Sequence, residues 1–149
     1  MSAPNPATVE LRRTVRPWLT NLPAYSKILV GVSGGADSMA LAIALKLEAD
    51  NFALELIPVV VDHGLQENSD LIAKDVVSKL EKLGFSEVFQ ANAQVTVTDG
   101  LESSARRARY QIFNQAIDTF GATNFFLAHT ENDQAESVLL GLGNFTNSL

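Results

Sequence analysis

Lys27–Val32 (KILVGV) runs directly into Ser33-Gly34-Gly35-Ala36-Asp37-Ser38, and Ser38–Leu47 behind it is apolar almost all round. A β-branched run, a glycine turn and an apolar helical run read as a buried strand, a tight loop and a buried helix. That unit restricts the fold, because a helix that follows a buried strand must cover the sheet while the chain returns for the next strand. The same alternation continues along the chain. Leu54–Val61 is the second strand, with Pro58 as a missing ladder donor inside it. Ser69–Leu83 places Ile72, Val76, Leu80 and Leu83 on one helical stripe and closes at Gly84. Glu87–Ala91 and Asn124–Ala128 are the third and fourth strands. Between them, Leu101–Phe120 is a helix whose core stripe is Leu101, Ala105, Ala108, Ile112, Ala116 and Phe120, with Asp99 and Glu102 spaced as a capping box and Gly121 at its end. Asp133–Leu140 reads as a further helix, and Ala7–Leu19 as a leading one that Pro17 ends or kinks. The expected fold is therefore α/β, three-layered, with a mainly parallel sheet flanked by helices.

At 149 residues the chain fits one domain, and 46% hydrophobic residues suffice for a core. The absence of cysteine excludes disulfides, thiolate metal sites and cysteine catalysis within these residues. No run approaches the ~18 apolar residues of a membrane span. Met1–Val9 has neither the basic nor the apolar region of a secretion signal, so cytoplasm is expected. A net charge of −6 argues against non-specific nucleic-acid binding by the chain as a whole. Two local basic clusters stand against that balance: Arg12, Arg13 and Arg16, and Arg106, Arg107 and Arg109.

In a parallel sheet, ligands bind outside the carboxyl ends of the strands. Ser33–Ser38, Asp62–His63 and His129–Asp133 all fall on that edge. Gly34 and Gly35 permit unusual dihedrals and close approach of phosphate oxygens. The helix after them offers unpaired N–H groups and a positive dipole end. Ser33 and Ser38 add hydroxyl donors. Asp37 would repel a phosphate unless it holds Mg²⁺ or accepts from a donor on the ligand. The loop lacks the lysine of a Walker A motif and is not G-x-G-x-x-G. The bland alternative is a capped turn. On their own, Asp62 and His63 read rather as a solvated strand-end turn, and Asp133 and Glu136 read also as acids favoured in a first helical turn. Glu102, Arg106 and Arg109 lie at i, i+4 and i+7, a face set opposite the core stripe. They form either a solvated face or a guanidinium clamp for phosphates.

Ser33-Gly34-Gly35-Ala36-Asp37-Ser38 resembles the PP-loop of the adenine-nucleotide alpha hydrolases. That resemblance implies a Rossmann-like fold of the PP-loop/HUP type, and cleavage of ATP between its α and β phosphates with AMP transfer and release of pyrophosphate. Three further elements are similar to those of tRNA(Ile)-lysidine synthetases: Val61-Asp62-His63-Gly64-Leu65; Glu102-Ser-Ser-Ala-Arg106-Arg-Ala-Arg109-Tyr110, like E-x-x-A-R-x-x-R-Y; and His129-Thr-Glu-Asn132-Asp133-Gln134-Ala-Glu136-Ser137, like H-x-x-D-D-Q-x-E-T. Asn132 stands where an acid is common and Ser137 where threonine is. The family then continues with an R-G-S-G-like stretch. Gly141–Leu149 lacks its arginine.

The resemblance implies a C–N bond-forming ligase that adenylates the anticodon cytidine of tRNA(Ile) and lets lysine displace AMP. ATP and Mg²⁺ are the implied cofactors. tRNA(Ile) and L-lysine are the implied partners, with a homodimer as a candidate assembly and no membrane. Ser33, Gly34, Gly35, Ala36, Asp37, Ser38, Asp62, His63 and His129 would then bind nucleotide, with Asp37 on the metal. Asp37, Asp133, Glu136 and Arg106 would serve catalysis. Residues 1–149 are expected to be a partial PP-loop domain, incomplete on its C-terminal side, without tRNA-binding domains and weak in ATP binding on its own. Other PP-loop ligases or amidotransferases, and a non-catalytic nucleotide-binding remnant, are the alternative readings.

Overall fold

The computed structural model describes residues 6–33, 35–62, 67–92, 100–129, 134–141 and 144–145; of these, 7, 101–106, 109, 129, 134–141 and 144–145 are described by their backbone. The elements in chain order are α1 (Pro6–Leu19), β1 (Lys27–Val32), α2 (Ala36–Asn51), β2 (Glu55–Asp62), α3 (Ser69–Lys82), β3 (Phe89–Asn92), α4 (Leu101–Phe120), β4 (Asn124–His129), β5 (Gln134–Gly141) and β6 (Asn144–Phe145). The sheet order is β3-β2-β1-β4-β5-β6. β1 runs parallel to β2 and to β4, and β2 parallel to β3, so the first four strands are parallel.

Strand alternation assigns the two faces. Ile28, Val30 and Val32 of β1, Val60 of β2 and Phe126 of β4 share a core with Val15 and Leu19 of α1, Leu41 and Leu45 of α2, and Val76 and Leu80 of α3. Leu29, Ile57, Val59 and Phe125 turn the other way, against Phe113, Ala116 and Ile117 of α4. Helices therefore cover both faces, giving the three-layer α/β architecture. Each buried side chain of this size contributes about 1.5–3 kcal/mol relative to exposure. Pro58 falls one residue before the β2–β3 ladder begins at Val59, where β2 is still an edge on that side and tolerates a proline.

Two sequence expectations are corrected and a third is extended. The helix expected over Asp133–Leu140 is replaced by β5, which pairs antiparallel with β4 from Asn124↔Leu139 to His129↔Gln134. A short apolar run has no strong period of its own. The open edge of β4 supplies the backbone partners that decide it. In α3 the buried stripe is Ala73, Val76 and Leu80, whereas Ile72 and Leu83 are 45% and 42% exposed. α4 starts after Gly100 (φ 121°), and the capping box expected from Asp99 and Glu102 falls outside the described residues and side chains. Among its described side chains, Ala108 and Ala116 of the expected stripe are buried and Ile112 and Phe120 pack against the core, and the buried face widens to Phe113 and Ile117, which the sequence reading left out.

The basic cluster on α1 is largely spent inside the fold. Glu48 of α2 is 1% exposed. Its Oε1 accepts from Arg12 Nε at 2.8 Å and from Arg16 Nη2 at 2.9 Å, and its Oε2 accepts from Arg16 Nε at 3.2 Å. The Arg16 hydrogen bond holds the Glu48 carboxyl below the usual carboxylate range against the opposing effect of burial, with Arg12 assisting. A depressed carboxyl contributes stability at pH values above its unfolded pKa, and that stability is lost as pH falls through the folded value. Glu48→Gln is therefore expected to cost about 1–3 kcal/mol in urea denaturation near pH 7. The difference between parent and variant should shrink as pH falls below about 4. A difference that stays constant down to pH 3 would contradict this account.

Candidate functional site: the β1–α2 loop and the cavity beside it

The loop between β1 and α2 is organised by one hydroxyl. Ser38 Oγ is turned inward, with Ser38 8% exposed, and accepts from the Ser33 N–H at 2.9 Å. It lies 3.1 Å from Ser33 Oγ and 3.2 Å from the carbonyl oxygens of Ser33 and Gly35. A hydroxyl has one proton to donate, so the two carbonyls compete for it, and between the two hydroxyls either can be the donor. Gly35 N–H in turn donates to Ser33 Oγ at 3.2 Å. The effect is a closed turn at the head of α2. Gly35 is the N-cap, with φ −76° and ψ 152° and no side chain capping the helix. Those dihedrals are open to any residue, so the conformational freedom expected of Gly35 is not its role here. Its value is the bare approach to an uncapped helix N-terminus, where N–H groups and the dipole favour an anion. Gly34 lies outside the described residues. Ala36 opens α2 as an exposed residue, and Asp37 follows it, half-buried in the first turn.

Beside the loop, on the α4 side of the sheet, is a cavity of about 100 Å³. It is lined by Gly31 and Val32 of β1, Val59 and Val61 of β2, Leu127 and Ala128 of β4, Phe113 of α4, and Ser33 and Ser38 of the loop. These strands flank the point where the strand order reverses, the place at which open α/β sheets bind ligands. Whole small-molecule pockets run to roughly 300–1,000 Å³, so this cavity suits one part of a ligand. Sequence reasoning missed Gly31 and Phe113. The available signal was a glycine inside a β-branched strand, which marks a close approach. A Cβ at Gly31 would stand 2.7 Å from Leu127 Cδ2 and 3.4 Å from Phe125 Cε1.

The structure brings the ends of β1, β2 and β4 to one rim, and with them Ser33, Asp62 and the backbone of His129. Asp62 ends β2 opposite Asn92 of β3. His63 and Asp133 lie outside the described residues. Glu136 stands on β5 rather than on a helix, paired in register with Leu127 of the cavity wall. Arg106 and Arg109 stand on α4, seven and four residues before the buried Phe113, and are described by their backbone. α4 begins on the rim side of the sheet.

The PP-loop domain family model matches residues 7–147, and the chain belongs to that family. Within it, the chain is similar to tRNA(Ile)-lysidine synthases. It is 44% identical to that of Thermobifida fusca over 142 residues, covering 95% of this chain and 44% of the relative. It is 48% identical to that of Streptomyces coelicolor over 121 residues, covering 81% of this chain and 34% of the relative. The chain thus spans less than half the length of these relatives. The fold is also that of the U34-tRNA thiolase NcsA from Methanococcus maripaludis, with a TM-score of 0.70 at 22% identity over 85% of this chain and 47% of that one.

The Ser38 tie has a local readout. Ser38→Ala removes the acceptor of the Ser33 N–H, a net loss of about 0.5–1.5 kcal/mol for a hydrogen bond of this kind. Amide hydrogen exchange at Ser33 should accelerate by about two- to tenfold, and Ser38→Thr should restore protection. Unchanged exchange in Ser38→Ala would show that the hydroxyl does not hold the loop.

Proposed function

We propose that this chain is the ATP-binding, substrate-activating domain of a tRNA(Ile)-lysidine synthetase, a cytoplasmic ligase. The observation that carries the reading is the uncapped α2 N-terminus behind Ser33–Ser38, set at the reversal of strand order in a chain matched over residues 7–147 by the PP-loop domain. In the proposed reaction, AMP passes from ATP to the C2 oxygen of the anticodon cytidine and pyrophosphate leaves. The ε-amine of lysine then forms the new C–N bond and expels AMP. tRNA binding is assigned to the part of the relatives that this chain does not span. Residues 1–149 form the partial PP-loop domain, with homodimerisation left to the whole enzyme.

Such chemistry asks the protein for positioning and for charge placed ahead of the reaction. Ser33, Gly34, Gly35, Ala36 and Ser38 shape the seat of the pyrophosphate portion. The backbone N–H groups at the head of α2 face that seat, and the Ser38 hydroxyl keeps the turn closed. Asp37 would hold Mg²⁺, whose charge offsets that of the triphosphate when bound. Mg²⁺ sites on phosphates need one or two carboxylates with the phosphate oxygens themselves. A single carboxylate in the first turn of α2 fits that requirement, and the described residues contain no larger cluster of metal-ligating side chains. Asp62, His63 and His129 are assigned to the nucleotide. Arg106 and Arg109, at the rim end of α4, are assigned to phosphate, where a guanidinium fork fits the oxygens. Asp133 and Glu136 are assigned to the lysine amine.

Calorimetric titration of ATP with Mg²⁺ into the chain is expected to give weak, saturable heat that GTP does not reproduce and Asp37→Ala removes. In a full-length enzyme carrying these residues, Asp37→Ala should abolish lysidine formation. Undiminished ATP binding or turnover in the variant would overturn the role of Asp37. GTP bound as well as ATP would contradict the nucleotide reading.

A further inference from the structure

We infer that Gly31 and Leu127 are a complementary pair that gauges the depth of the slot receiving the nucleobase, so that base acceptance is set on the floor of the sheet rather than in the loop. The inference rests on the nucleotide reading above and adds residues to which that reading gives no role. Its basis is steric. Gly31 is the one residue of β1 without a side chain, and it faces α4, as Leu29 does two residues earlier. A Cβ there would meet Leu127 Cδ2 at 2.7 Å, Phe125 Cε1 at 3.4 Å and Phe113 Cζ at 3.6 Å. The Leu127 methyl is the far end of a flexible side chain, while the two phenylalanine rings are locked together with centroids 4.2 Å apart. Leu127 is therefore the group that yields, and both it and Gly31 line the cavity. An added methyl at Gly31 would push Leu127 aside and so reshape the cavity that both line.

The occupant follows from the walls and their neighbour. The inner walls are apolar and include the Phe113 ring, which suits a flat, largely apolar group. Ser33 and Ser38 of the loop line the same cavity, so a group held there can be joined to something bound at the loop. A heteroaromatic base tethered through its sugar to a phosphate chain has that shape. Inorganic pyrophosphate shares the phosphate chemistry but has nothing to place in the slot.

The test uses the whole chain titrated with Mg²⁺-ATP and, separately, with Mg²⁺-pyrophosphate. Gly31→Ala should weaken ATP by roughly tenfold or more, the order of discrimination that one methyl group produces in an apolar pocket. Pyrophosphate affinity should stay unchanged. Leu127→Phe, which fills the slot from the opposite wall without altering β1, should produce the same selective loss and decides the matter if Gly31→Ala fails to fold. Adding Leu127→Ala to Gly31→Ala should recover ATP affinity, a coupling that independent sites would not show. ATP binding at parental strength in both single variants overturns the pair as a gauge. Equal loss of ATP and pyrophosphate in a folded variant overturns it too, because the effect would then act through the loop. A parent chain that binds pyrophosphate but gains nothing from the base also overturns it. A parent that binds neither ligand defeats the nucleotide reading itself, and this inference with it.

Discussion

The reversal of strand order at β1 is the constraint on which the rest of the molecule depends. β1 has a parallel neighbour on each side, reached through helices on opposite faces: α2 leads to β2 on one face and α4 leads to β4 on the other. Because the two connections lie on opposite faces, the chain diverges at the end of β1. The loop, the cavity and the first turn of α4 gather there for that reason. A helix N-terminus at any other strand end would have a crossover lying beside it.

Much of this was legible in the sequence. The strand, glycine loop and apolar helix from Lys27 onward could be read because a buried strand and a buried helix leave strong local patterns. The rim placement of Ser33–Ser38, Asp62 and His129 followed once the strands were taken as parallel. What escaped depended on neighbours distant in the chain. The buried face of α4 widened from Ala108 and Ala116 to Phe113 and Ile117 because these have Leu29, Ile57 and Phe125 to pack on. Glu48 carried a weak signal, a lone acid in an apolar helix, but its partners lie 36 and 32 residues away. The strand over Gln134–Gly141 was decided by an edge that only the assembled sheet presents. The proposed roles of His63, Asp133 and Gly34 rest on sequence alone.

The serine pair and the glycine at the site divide labour in a way composition does not reveal. Ser38 resembles a phosphate-binding hydroxyl in the sequence, yet its proton is committed within the turn. Gly35 resembles a conformational necessity, yet it adopts ordinary extended dihedrals. Gly31 carries no motif and is the one with rings and a methyl pressed against it. A residue type in a motif states what chemistry is available. The neighbours decide which part of that chemistry is used.

The buried carboxylate of Glu48 has a mechanical consequence. Glu48 lies ten residues beyond Ser38 on the same helix, about 15 Å along its axis at 1.5 Å per residue. Axial sliding is the softest way for one helix to move over a sheet, and a shift of a fraction of the 5.4 Å pitch would carry the loop with it. Three charge-assisted hydrogen bonds from α1 oppose that slide at the far end of α2, much as a set-screw fixes a shaft far from its working tip. Substitutions in α1 would thus reach the site as an axial misalignment of α2, without any contact between α1 and the ligand.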